Sequence, residues 1–259
     1  MSEDRRTQGH VSLDIKDGVG TISFFHPSHN SLPGKLLAAL AEEITRCGTD
    51  ETIKVIVLKS EGNRTFCAGA SFDELVAIED EAAGKSFFSG FANVINACRK
   101  CPKFIIGRVQ GKVVGGGVGV ASAVDYAFAT KFAAVKLSEL AIGIGPFVVG
   151  PAVERKIGTS AMSQLAIDAT SWRSAEWAKE KGLYANVYES VEEMDQAIEV
   201  LSQKLAYSNP EAMRALKANF WLGTEHWDEL LMERAAMSGK LVLSEFSRSA
   251  IAKFKAGAR

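Results

Sequence analysis

Three consecutive glycines, Gly115 to Gly117, lie within the stretch GKVVGGGVGVASAVD (111–125), and they constrain this chain more than any other feature. Glycine loses the most conformational freedom on ordering, so a triple glycine marks backbone that must be approached closely. The surrounding apolar run, Val113 to Val124, is too short and too rich in glycine to span a bilayer. A P-loop is excluded, because the one Gly-Lys-Ser is Gly84-Lys85-Ser86, and Glu79 stands where its first glycine belongs. A dinucleotide fingerprint is met at Gly117 and Gly119 and then broken by Ser122, although Glu139 follows at about the right distance for a ribose-binding acid. A tight helix-packing stretch without chemistry is the third reading.

The rest of the chain gives the glycines an α/β setting. VSLDI (11–15) and TISFF (21–25) read as strands around the hairpin signal KDGVG. PGKLLAALAEEITRC (33–47) reads as a helix with Pro33 in its first turn. KVIVLKS (54–60) reads as a buried strand, 61–72 as a glycine-containing loop, and two helical stretches follow, the second near 86–99. FIIGRV (104–109) and DYAFAT (125–130) read as strands on either side of the glycine segment. Beyond about Ser171 the apolar spacing becomes helical throughout, and Phe220, Trp221, Trp227, Leu230 and Leu231 look exposed, as if to meet the core or another subunit. Neither a linker nor a repeat divides the 259 residues.

Charge and cysteine usage narrow the classes. A net charge of -1 supplies no field for nucleic acid or acidic lipid. The polar opening MSEDRRTQGH lacks the apolar centre of a signal peptide, and four cysteines are too few for a disulfide scaffold, which implies a reducing cytoplasm. Cys98 and Cys101 form a CxxC without the second pair that zinc would want, so no metal site is expected. Cys67 has no histidine beside it to mark a nucleophile, and the HPSH of His26 and His29 has no metal spacing.

A larger pattern encloses the glycines. IGRVQG (106–111) precedes them, and Ser122 and VDY (124–126) follow. TFCAGASFDEL (65–75) and PSHNSL (27–32) lie upstream. In this order and spacing the three segments resemble the enoyl-CoA hydratase/isomerase (crotonase) family across nearly the whole chain. Val124 departs from the family's small or sulfur residue, and Ser71 replaces its usual aspartate.

The resemblance implies a crotonase-type α/β spiral of ββα units over 1–195. It also implies a C-terminal helical oligomerisation region over 196–259, assembling homotrimers or hexamers. The ligand implied is an acyl-CoA thioester, with coenzyme A as part of the substrate and no further cofactor. Carried over by position, the amides of Ala70 and Gly116 become the oxyanion hole. Ala68, Gly69, Ala70 and Phe72 border the coenzyme, and Lys253 with Lys255 is placed near its phosphates. Two-acid hydratases of the family carry one glutamate three residues after the middle glycine and a second twenty residues further on. The first position here is Gly119 and the second is Glu139. The implied activity is hydration of a 2-enoyl-CoA by a single acid, with double-bond isomerisation, decarboxylation and a non-enzymatic acyl-CoA binder as alternatives. The region 139–157, with HNSLPG, looks most similar to bacterial methylglutaconyl-CoA hydratases.

Overall fold

The computed structural model describes residues 9–257, with side chains through Lys253. The first eight residues of the polar N-terminal segment, and the Lys255 side chain, lie outside what is described. β1 (His10–Lys16) and β2 (Val19–Phe25) form an antiparallel hairpin in which Lys16 faces Val19. Its two turn residues, Asp17 and Gly18, have φ of 50° and 80°, as a two-residue turn matching strand twist requires. α1 (Gly34–Thr49) follows, with Pro33 at its N-cap rather than inside its first turn.

The chain then winds through three similar turns. Each contributes one strand to a six-stranded sheet, one to a three-stranded sheet, and then helix. The first is β3 (Val55–Ser60), β4 (Thr65–Cys67), α2 (Phe72–Val76) and α3 (Glu81–Lys100). The second is β5 (Ile105–Val109), β6 (Lys112–Val114) and α4 (Gly116–Ala123). The third is β7 (Tyr126–Thr130), β8 (Val135–Lys136), a 3-10 turn (Glu139–Ile142) and α5 (Gly150–Ile167), which breaks at Gly158. After α6 (Ala175–Glu180), β9 (Asn186–Tyr188) completes the large sheet in the order β1-β2-β3-β5-β7-β9, parallel beyond the first hairpin. The small sheet runs β4-β6-β8, also parallel. The α/β spiral is therefore present.

Burial of both sheet faces explains the continuous apolar strands. Ile56 and Leu58 enter the main core with Ile22, Phe24 and Leu40, while Val55, Val57, Ile106 and Phe128 face α7 (Val191–Ala206) through Met194 and Ile198. The division placed between residues 195 and 196 thus falls inside a helix that packs on the sheet on both sides of that point.

α8 (Pro210–Phe220), α9 (Trp227–Leu241) and α10 (Glu245–Gly257) make up the C-terminal helical region. Trp227 and Leu231, which look exposed in sequence, are buried in the main core, whereas Phe220 is exposed. α9 lies on α3 so closely that a Cβ on Gly84 would meet the Gly239 backbone at 2.7 Å. α8 is anchored by Asp125, which accepts from Lys217 Nζ at 2.8 Å, Trp221 Nε1 at 3.2 Å and the Ile105 amide at 2.8 Å. The four cysteines are free and buried, with Cys67 and Cys98 pushed up to about 12 by desolvation, so none is poised as a nucleophile. No described helix is long and apolar enough to cross a membrane.

Candidate active site

Two main-chain segments and one carboxyl group converge beyond the C-terminal ends of the three strands of the small sheet. The first segment leaves β4 through Ala68, Gly69 and Ala70. Gly69 has φ 89°, and a Cβ on it would lie 3.0 Å from Val114 O and 3.5 Å from Gly116 N. Its carbonyl accepts the Leu32 amide at 2.8 Å, and its amide donates to Cys67 Sγ at 3.4 Å. In a trans peptide the C=O and N–H point in opposite directions. The bond from Leu32 to Gly69 O therefore turns the Ala70 N–H away from Leu32. Ser71, standing where an aspartate is usual, accepts the Glu74 amide at 3.4 Å as the N-cap of α2, a role that serine and aspartate both fill.

The second segment is the glycine run. Gly115 adopts φ 54°, ψ -123°, a region closed to residues with a side chain. Its amide donates to Lys136 O at 2.9 Å, and its carbonyl accepts from Val118 at 2.9 Å, so the Gly116 N–H is aimed by the same peptide logic. Gly116 is the first residue of α4, where amides lack intrahelical partners and the dipole favours negative charge. Among the described residues, neither the Ala70 nor the Gly116 N–H has a protein acceptor. A Cβ on Gly116 would enter the Phe91 ring, and one on Gly117 would meet Cys67 Cβ at 2.7 Å. All three glycines are thus spent on close approach.

Glu139 comes three residues after Lys136, the acceptor that ties β8 to Gly115. Its Oε1 lies 3.2 Å from the position a Gly115 Cβ would take, so any side chain there would displace the carboxyl. The residue is half-buried as a whole, yet Oε2 is shielded from solvent and has no hydrogen-bond partner. Desolvation pushes the carboxyl from 4.5 up to about 7, against a smaller lowering from its own backbone amide. The turn is held by Ile144 N–H donating to Glu139 O at 3.0 Å.

Gly119, one helical turn beyond Gly116, carries no acid, and the space above it is taken. A Cβ there would run into Val149 Cγ1, and Val149 is buried just before α5. The structure therefore brings Ala70, Gly116 and Glu139 together, with Ala68 and Gly69 in the same loop. Phe72 opens α2 and packs against the buried cluster that includes Leu75, Ile144 and Ile251. Lys253 is exposed on α10, and no described contact joins it to this group. Val149 and the Leu32 amide escape the sequence reading. The first is one valine among many, and a main-chain donor has no residue signature at all.

The other sequence candidates resolve as structure. His26 Nδ1 takes part in a hydrogen bond with Ser31 Oγ at 3.0 Å, inside its own loop. No cluster of three or more His, Cys, Asp or Glu among the described residues could hold a metal. A wide cleft lined by Ala38, Glu42, Thr45, Asn93 and Lys100 opens between α1 and α3 and includes none of the convergent residues.

Known proteins share this arrangement of chain. A structure of enoyl-CoA hydratase from Bacillus halodurans superposes with a TM-score of 0.87 at 19% identity, covering 94% of this chain and 99% of that one, which bears on the fold alone. The "Probable enoyl-CoA hydratase" of Bacillus subtilis is 26% identical over 207 residues, 80% of each chain. The mitochondrial methylglutaconyl-CoA hydratase of Mus musculus is 30% identical over 226 residues, 86% of this chain and 69% of that protein. The sequence pattern of the enoyl-CoA hydratase/isomerase family matches residues 14–253. With two unpaired amides, a shielded carboxyl and a family pattern running almost end to end, the chain belongs to the enoyl-CoA hydratase/isomerase family.

Proposed function

We propose that the protein hydrates 2-enoyl-CoA thioesters with Glu139 as its single acid/base. The observation that carries this reading is the shielded Glu139 carboxyl set against Gly115, beside the unpaired Gly116 amide. In the reaction, carboxylate Glu139 takes a proton from water as the water oxygen bonds to C3. The C2=C3 electron pair shifts toward the thioester, and charge gathers on its oxygen between the Ala70 and Gly116 N–H groups. Glu139 then returns the proton to C2, and the carbonyl reforms. Each preorganised amide is worth roughly 3–4 kcal/mol of transition-state stabilisation, and the acid/base on the order of 10²–10⁴ in rate. Only proton transfer and charge stabilisation are needed, so coenzyme A enters as part of the substrate. Ala68, Gly69 and Phe72 border it, and Lys253 faces its phosphates. 3-Methylglutaconyl-CoA is the acyl group to try first, supported by the murine relative. Glu139→Gln removes turnover while thioester binding survives; unchanged turnover takes Glu139 out of the mechanism.

Double-bond isomerisation is a second reading, favoured by Val149 filling the place over Gly119. A lone carboxyl suits a proton shuttle between carbons. Crotonyl-CoA and a 3-enoyl-CoA, supplied separately in ¹⁸O-labelled heavy water with products weighed, separate the two, since only hydration incorporates solvent oxygen. Binding without turnover across a thioester panel would instead mark a non-enzymatic acyl-CoA binder. Exposed Phe132, Leu140, Leu222 and Phe246 support a homotrimer or hexamer, to be read by light scattering, and four unpaired thiols suit a reducing cytoplasm.

A further inference from the structure

Asn30 has no part in the chemistry above, yet it is buried and satisfied with unusual completeness. It lies in the loop between β2 and α1 with φ 56°, next to His29 at φ 54°; asparagine is among the few residues at ease in this left-handed region. Its Oδ1 accepts the His26 amide at 3.0 Å. Both hydrogens of its side-chain amide are used, donating to Glu61 O at 2.8 Å and Thr65 O at 2.9 Å. Thr65 opens β4, the strand that leads into Ala68, Gly69 and Ala70. Two residues after Asn30, the Leu32 N–H donates to Gly69 O at 2.8 Å. One short segment thus grips the Ala70 loop at both ends, by a side chain at Thr65 and by a main-chain donor at Gly69.

We infer that Asn30 is a positioning residue for the oxyanion hole, acting through Leu32 on the Gly69–Ala70 peptide. The bond to Gly69 O fixes the plane of that peptide, and the plane fixes the direction of the Ala70 N–H on its opposite edge. Asn30 holds the 26–32 loop against β3 and β4, so the donor of that bond stays in place. This rests on reading Ala70 as an oxyanion donor. A misplacement of about 1 Å in such a site costs on the order of 10²-fold in rate, with little effect on ground-state binding.

The test uses 4-(dimethylamino)cinnamoyl-CoA, whose absorption band moves to the red when its thioester carbonyl is polarised. On the intact protein the band shifts on binding; no shift would fell the oxyanion-hole reading itself, and this inference with it. In Asn30→Ala the shift falls to less than half, and kcat drops by roughly 10²-fold, with the thioester Kd within about threefold. A full band shift in a folded Asn30→Ala protein overturns the inference. Should Asn30→Ala not fold, replacing Leu32 by its α-hydroxy acid deletes only the N–H that grips Gly69 O. The same loss of band shift is then expected, and an undiminished shift is the overturning result.

Discussion

Replacing Glu139 by glutamine should make the protein more stable at pH 8 and leave its stability unchanged at pH 4. The reason is the cost of ionising a carboxyl that is largely withdrawn from bulk solvent. Burial carries the Glu139 carboxyl from 4.5 in the unfolded chain to about 7 in the folded one. Below pH 4.5 both states hold the proton and the group contributes nothing. Between 4.5 and about 7 the unfolded chain releases its proton while the folded protein keeps it, so stability falls as pH rises. Above about 7 both are ionised, and the full cost of roughly 3 kcal/mol remains. Glutamine keeps the shape and removes the ionisation. The stability gain of Glu139→Gln, measured by urea unfolding at half-unit steps from pH 4 to 9, should therefore grow across this window and level off at roughly 3 kcal/mol. The activity of the unaltered protein should follow the same group. If carboxylate Glu139 takes the proton from water, kcat/KM rises about tenfold per pH unit below 7 and flattens above it. A gain that does not vary with pH, or a glutamine variant less stable at pH 8, would refute the argument that desolvation dominates at this carboxyl.

Further substitutions test the packing over Gly119 and the anchor of α8. Gly119→Glu forces a side chain into Val149 and should cost about 1–3 kcal/mol in urea unfolding. Adding Val149→Ala should recover much of the loss, and a Gly119→Glu protein as stable as its parent would show that Val149 does not fill the space. Asp125→Ala leaves the Lys217 ammonium, only 2% exposed, without its carboxylate, and should cost about 3–5 kcal/mol by the same measurement. A loss under 1 kcal/mol would mean that the remaining Lys103 O bond satisfies the ammonium alone.

The parts of the fold legible in the sequence are those whose pattern is long enough to repeat. β3 is apolar along both faces, with Ile56 and Leu58 in the main core and Val55 and Val57 under α7, while β2 alternates Ile22 and Phe24 toward the core with Thr21 and Ser23 on the other side. The small sheet is different. β4, β6 and β8 contribute only two or three residues each, too few for an alternation of period two to repeat, so 61–72 reads as loop although it contains β4. β9 is hidden in the same way among helices. α3 begins at Glu81 rather than near 86, because Gly84 sits in its first turn. Gly84 weakens the helical signal locally and is kept for the backbone of Gly239 on another helix.

The site divides along a similar line, between what a side chain announces and what the main chain does silently. Glu139 and the glycine triplet can be placed from sequence because residue type alone marks them: a carboxyl, and three missing side chains. The direction of the two N–H groups is set elsewhere. Gly69 O is held by the amide of Leu32, and Gly115 is held by the carbonyl of Lys136 and the amide of Val118, main-chain groups that carry no residue signature. Asn30 and Ser71 show the intermediate case, in which a side chain is chosen because it satisfies backbone around the site. Serine can stand for aspartate at position 71 for that reason, since the cap needs only an oxygen at the right reach. Gly119 shows the converse. Val149 of the neighbouring loop occupies the space over it, so an acid placed at this one position would not find the room it needs. Two segments, the helix at Gly119 and the loop at Val149, together leave no room for a side chain at this position.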